Sequence, residues 1–109
     1  MTMYKPGNIV LIDFPFASTE QTKRRPALVL LDTGDADIVV ARVTSQARQD
    51  AFDVDIADWQ SAGLLLPSII RLHKLATLEK NMIHRPLGNL QAADYQAVAL
   101  TIKKLFNNW

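Results

Sequence analysis

The spacing of apolar residues changes once along this chain, and that change restricts the fold more than any other feature. Up to about residue 89 the apolar stretches are short and rich in β-branched residues, and several alternate with polar ones. Such runs are strands of a sheet. From Gln91 onward the apolar residues fall at Tyr95, Val98, Ile102 and Leu105, then Phe106. Intervals of three and four place them on one face of an α-helix. Leu90 precedes the cap position at Gln91 and is placed to staple onto Tyr95, while Lys103 and Lys104 lie in the last turn, where the helix dipole favours cations. The chain is therefore expected to be mainly β with one C-terminal helix.

The strands follow from the same pattern. "NIVLIDF" alternates, with Ile9 and Leu11 on one side and Val10, Ile12 and Phe14 on the other, and Pro15 should end it because it cannot donate to a ladder. Residues 16–25 hold only two apolar members, Phe16 and Ala17, and read as a long loop. "PALVLLD" and "IVVARVTS" flank the turn "TGDAD" and form a hairpin. "AFDVDI" puts Phe52, Val54 and Ile56 inward and Asp53 and Asp55 outward, as a solvated face. "ADWQSAG" is a short turn closed by Gly63. "SIIRLHKLATL" is a strand through about Leu75, and "MIHRPLG" is a last short strand. Consecutive hairpins without long crossovers argue for one domain over residues 1–109, a small antiparallel barrel with a helix packed on it.

Composition narrows the chemistry. There is no cysteine, which excludes disulfides, thiolate catalysis and thiolate metal sites from this chain. Its only histidines, His73 and His84, have no metal-ligand spacing, so neither a metal nor another cofactor is expected. The N-terminus shows no signal peptide or membrane span, and a cytoplasmic protein is expected. Net charge is +1, so bulk charge does not point to nucleic acid. The distribution is uneven, however. Cations cluster at 23–25, 42, 48 and 71–74, against an acidic run of Asp50, Asp53, Asp55 and Asp58. A local basic patch is compatible with that.

Lys23, Arg24 and Arg25 stand directly before the second strand, where they serve either as an edge guard or as a phosphate grip. The hairpin brings the start of that strand beside the end of the next, and so Arg25 beside Thr44, with Ser45 and Gln46 following. Arg71 and His73, two residues apart in a strand, share a face. These groups suit cleavage of RNA by its own 2′-hydroxyl. Arginine binds phosphate oxygens, hydroxyls donate to the same oxygens, and histidine moves protons near neutral pH. No metal is required for that reaction.

"GNIVLIDF", "RRPALVL", "VARVTSQ", "LPSIIRLHKLATL", "LGNL" and the terminal helix together resemble the MazF/PemK toxins of type II toxin–antitoxin systems, in order and over nearly the whole chain. The resemblance implies a CcdB/PemK-type fold, an SH3-like barrel with a C-terminal helix, acting as a homodimer. It implies a metal-independent, sequence-selective endoribonuclease that cuts single-stranded mRNA and is silenced by a cognate antitoxin protein. By resemblance Arg25, Thr44, Arg71 and His73 are catalytic, and Lys23, Arg24, Ser45, Gln46 and Lys74 contact RNA. His73 stands where relatives carry an acidic residue, and "EQTKRRP" lacks the glycines many relatives have. Glu20 and Gln21 match loop positions of a supporting kind, while Trp59 and Trp109 suit packing or a dimer edge. The alternative is a non-enzymatic module on the same fold: a CcdB-like poison of a protein target, or an inactive homologue that only binds antitoxin.

Overall fold

The computed structural model describes residues 2–15 and 22–109. Phe16, Ala17, Glu20 and Gln21 lie outside the described residues. Among the described residues six strands are present: β1 (Asn8–Pro15), β2 (Thr22–Leu31), β3 (Asp37–Thr44), β4 (Asp53–Asp55), β5 (Ile69–Glu79) and β6 (Ile83–Asn89). A 3-10 turn, Lys80–Met82, joins the last two, and one helix, α1 (Ala92–Leu105), follows. The strands form one antiparallel sheet in the order β4-β5-β3-β2-β1-β6. The expected β architecture with one C-terminal helix is present, but the sheet is not closed by a ladder between β4 and β6.

Alternation along the central strands feeds two cores. Ile9, Leu28, Ala41 and Val43 face one side, with Ile70 and Leu72 of β5 and Val98 of α1. Val10, Ile12, Ala27, Val29, Ile38 and Val40 face the other, where Tyr4, Ala76, Leu78 and Ile83 pack on them. Each large aliphatic side chain buried this way contributes roughly 1.5–3 kcal/mol.

Even-numbered residues of β5 serve both cores, and the reason is a bulge. Ala41 of β3 is opposite Leu75, whereas its neighbour Arg42 is opposite Arg71. Four residues of β5 therefore span one step of β3. The three extra residues, an odd number, reverse the alternation. This break explains why the pattern faded at Leu75 while the strand runs on to Glu79.

The two free edges meet without pairing. Gly63 has φ +88°, and a Cβ there would lie 2.1 Å from the Leu87 carbonyl oxygen; one on Gly88 would lie 2.5 Å from the Ala62 oxygen. The turn after β4 thus rests directly on the backbone of β6. Asp94, 4% exposed, locks the same turn to α1 by accepting the Ala57 and Asp58 amides at 2.9 Å each.

A second knot ties the opposite end. Asp32 accepts the Tyr4 amide at 2.7 Å, the Gly34 amide at 2.9 Å and the Lys80 ammonium at 2.7 Å. Lys80 and then the Tyr4 amide hold its carboxyl down at about 2, outweighing the opposite effect of desolvation.

Three local expectations change. β2 begins at Thr22, so Lys23, Arg24 and Arg25 belong to the strand and not to the loop before it. β1 continues opposite them to Pro15, which gives those residues a partner. "AFDVDI" shortens to Asp53–Asp55. Phe106, expected on the buried face of the helix, caps its end and is about half exposed.

Candidate active site

The β2–β3 ladder ends where Ala27 pairs with Arg42, and the same register continued by two residues puts Arg25 on the side of Thr44. Both line one cavity of about 410 Å³. Ser45, Ser68 and Arg85 supply its other polar groups, and Leu11, Pro26 and Leu64 are among its apolar walls. Arg85 reaches it from β6, where it is opposite Leu11. The Thr44 hydroxyl oxygen accepts the Gln46 amide at 3.1 Å, the turn that ends β3. Two guanidiniums and three hydroxyls above apolar walls suit an oxyanion carrying a bulky organic group.

Thr44 is also a wall of a second, smaller cleft. It measures about 100 Å³ and is otherwise lined by Arg42, Gln46, Arg48 and Arg71. Arg42 and Thr44 lie two apart on β3, and Arg71 stands opposite Arg42, so all three point to one face of the sheet.

Arg71 is held from behind. Its Nε donates to Asp53 Oδ1 at 3.0 Å, and its Nη2 bonds to Asp50. The other oxygen of Asp53 accepts the Asp50 amide at 2.9 Å. Asp53 was expected on a solvated face, but its side chain is 4% exposed. β4 pairs Asp53 with Arg71, and the turn from Asp50 covers the pair. Burial pushes the Asp53 carboxyl up, but the Asp50 amide and the Arg71 guanidinium together hold it below its ordinary value.

His73 lies within the β5 bulge, so it is unpaired on β3. Its Nε2 is 3.3 Å from Arg71 Nη2, and its ring is 6.1 Å from that of Phe52. Nδ1 is buried, 4.0 Å from Asp53, and has no hydrogen-bond partner among the described residues. His73 lines neither cavity. The ligand atoms of Asp50, Asp53 and His73 lie within 4.8 Å of one another, a set able to hold a cation. Arg71 already takes a contact from both carboxylates.

The structure therefore brings Arg25, Thr44 and Ser45 together, and Thr44, Gln46 and Arg71 together. Lys23, Arg24 and Lys74 are exposed and line neither cavity, and Arg24 pairs with Asp13 at 3.0 Å. Arg42, Arg48, Asp53 and Arg85 are site residues that sequence reasoning did not single out. Period two could have found Arg42 beside Thr44, whereas nothing local marks Arg85.

The sequence profile of the PemK-like, MazF-like toxins of type II toxin–antitoxin systems matches residues 5–106. Among solved structures, the Mycobacterium tuberculosis toxin MazF-mt6 superimposes with a TM-score of 0.75 at 25% identity, over 96% of this chain and 100% of that one. An endoribonuclease in complex with its cognate antitoxin, from a mycobacterial species, gives 0.77 at 17% identity over 95% of each chain. MazF from Deinococcus radiodurans gives 0.74 at 23% identity over 98% of this chain and 99% of that one. The last two establish a shared fold. No curated protein sequence matches the chain. No helix among the described residues is long and apolar enough to cross a membrane.

Proposed function

Since the chain belongs to the PemK-like, MazF-like toxins of type II toxin–antitoxin systems, we propose that it is an endoribonuclease and that the cavity shared by Arg25 and Thr44 is where RNA is cut. The observation that carries this reading is their convergence, from two different strands, on one space of about 410 Å³. A mycobacterial structural relative is named an endoribonuclease and is bound to its antitoxin. By extension the present chain acts on single-stranded RNA, is restrained by a cognate antitoxin protein, and works as a homodimer.

The reaction assigned to the site is an internal transfer. The 2′-oxygen of one nucleotide bonds to the adjacent phosphorus, the bond to the 5′-oxygen breaks, and a 2′,3′-cyclic phosphate and a 5′-hydroxyl result. One proton leaves the 2′-oxygen and one reaches the 5′-oxygen. Arg25 and Arg85 neutralise the charge that grows on the non-bridging oxygens, and the Thr44 hydroxyl donates to one of them. Arg71 adds positive charge from the adjoining cleft. His73 touches Arg71 and acts through it, as a positioning residue. The nucleophile belongs to the substrate, and the charge is met by guanidinium, so the chemistry runs without a metal ion.

Purified protein incubated with a long RNA tests this. Cleavage should persist in EDTA and leave a 5′-hydroxyl. Arg25→Ala should lower turnover by roughly 10²–10³-fold, the loss expected for one donor to a developing oxyanion. The residue is exposed, so folding should be unaffected. Wild-type turnover in this variant would refute the assignment, and intact RNA with the wild-type protein would favour the non-enzymatic reading.

A further inference from the structure

We propose that the cleft between Arg42, Arg48 and Arg71 binds a second phosphate of the same RNA strand, next to the one that is cut; this rests on the nuclease reading. Three guanidiniums converge on a space of about 100 Å³ whose remaining walls, Thr44 and Gln46, are polar. Such a space is too small for a nucleobase with its sugar and suits a compact anion.

The charges there are unequally balanced. Arg71 is matched by Asp53 and Asp50 behind it. Among the described residues Arg48 bonds only to a neutral group, Gln46 Oε1, at 3.0 Å. Arg42 is exposed, and its side chain has no hydrogen bond or ion pair among the described residues. Among the described residues, two positive charges therefore stand at the cleft without a counter-charge, and a third is held rigidly at its wall. Like charges are gathered at such a point when an anion is to be met there.

Position identifies which anion. Thr44 lines both the cleft and the larger cavity. Arg42 and Thr44, two residues apart on one strand, are separated by roughly 6.7 Å. That is comparable with the step between successive phosphates of an extended RNA strand. A backbone whose scissile phosphate rests on Arg25 and Thr44 thus places its neighbour among the three arginines. The cleft fixes register along the strand and leaves base choice to the larger cavity.

The test uses a short RNA containing one mapped cut site, in its natural form and with a neutral methylphosphonate at the neighbouring linkage, placed in turn on either side. Arg42→Ala and Arg48→Ala alter exposed residues, and unchanged thermal midpoints will verify folding. Each substitution should raise KM about five- to tenfold on natural RNA, with kcat within about twofold of wild type. The slope of log affinity against log salt should shrink by about 0.7. On one side of the cut, the methylphosphonate should raise the wild-type KM by a similar factor or more and have a smaller effect in each variant than in wild type. Unchanged KM and salt slope in both variants would overturn the proposal, as would effects of protein and RNA changes that multiply. Absence of cleavage by the wild-type protein would instead sink the nuclease reading. Binding of a fluorescent single-stranded RNA would then be compared by anisotropy between the wild type, Arg42→Ala and Arg48→Ala over a salt series, where affinity and salt slope indifferent to both arginines overturn the cleft.

Discussion

Replacing Asp53 by alanine should destabilise the protein far more than replacing Asp50, although both carboxylates reach the same guanidinium. The Asp53 side chain is 4% exposed and that of Asp50 is 62% exposed. Asp53→Ala removes two charge-assisted hydrogen bonds, one from Arg71 Nε at 3.0 Å and one from the Asp50 amide at 2.9 Å. Each contributes about 1.5–3 kcal/mol. Arg71 keeps Asp50 and is itself 16% exposed, so it is not left wholly unpaired. The two bonds together amount to about 3–6 kcal/mol, and relief of the carboxylate's own burial cost offsets part of it, so the expected loss is about 2–4 kcal/mol. At about 4 °C per kcal/mol, the melting temperature should fall by roughly 8–16 °C. Asp50→Ala should lose less than about 1 kcal/mol, as an exposed ion pair does. The pH dependence has a fixed sign. The folded carboxyl of Asp53 titrates below the 3.8 of an unperturbed aspartate, chiefly because the Asp50 amide and Arg71 outweigh its burial. Its stabilisation is complete above pH 3.8 and disappears as pH falls through the folded value. The gap between wild type and Asp53→Ala should narrow correspondingly. Urea denaturation followed by circular dichroism at pH 7 and pH 3 measures both effects. Equal losses for the two aspartates at pH 7, or a gap that widens in acid, would refute the reasoning.

Three further expectations follow from other parts of the molecule. Thr44→Val should lower turnover on RNA by about 10²-fold while Thr44→Ser keeps most of it, since only the hydroxyl is required; equal activity in the two variants would remove Thr44 from the site. Asp32→Asn should lower the urea midpoint at pH 7, and the difference from wild type should vanish as pH falls from 3.8 towards 2, because the depressed carboxyl stabilises only when ionised. Gly63→Ala should destabilise by more than about 3 kcal/mol, given φ +88° and a new Cβ 2.1 Å from the Leu87 oxygen; a thermal midpoint near wild type would show that this contact yields easily.

Much of the architecture was legible because short strands paired with their sequence neighbours obey local rules. The hairpin of β2 and β3, and with it the meeting of Arg25 and Thr44, follows from a turn between two alternating runs. The helix follows from spacing, with Val98 buried and Ile102 and Leu105 packed on the core. What escaped was non-local. Asp53 alternates as an outward residue should, yet its outward neighbour is Arg71 on β5, which no pattern within "AFDVDI" can announce. Arg85 enters the cavity because β6 crosses back to β1, a pairing some seventy residues apart in sequence. The β5 bulge defeated the period-two reading at the point where it set His73 apart from the ladder. The face shared by Arg71 and His73 was foreseen, but the sequence does not reveal that the histidine stands behind the arginine, off the cavities.

The hydrogen bond from the Gln46 amide to the Thr44 oxygen has one more consequence. A hydroxyl that accepts a hydrogen bond on one side must aim its own hydrogen elsewhere, so the main chain biases this side chain before any ligand arrives. Its own hydrogen is confined to the directions the amide leaves free, so less reorganisation is needed when negative charge develops in front of it. A threonine at the frayed end of a strand would ordinarily spin; here three residues of backbone have set its compass.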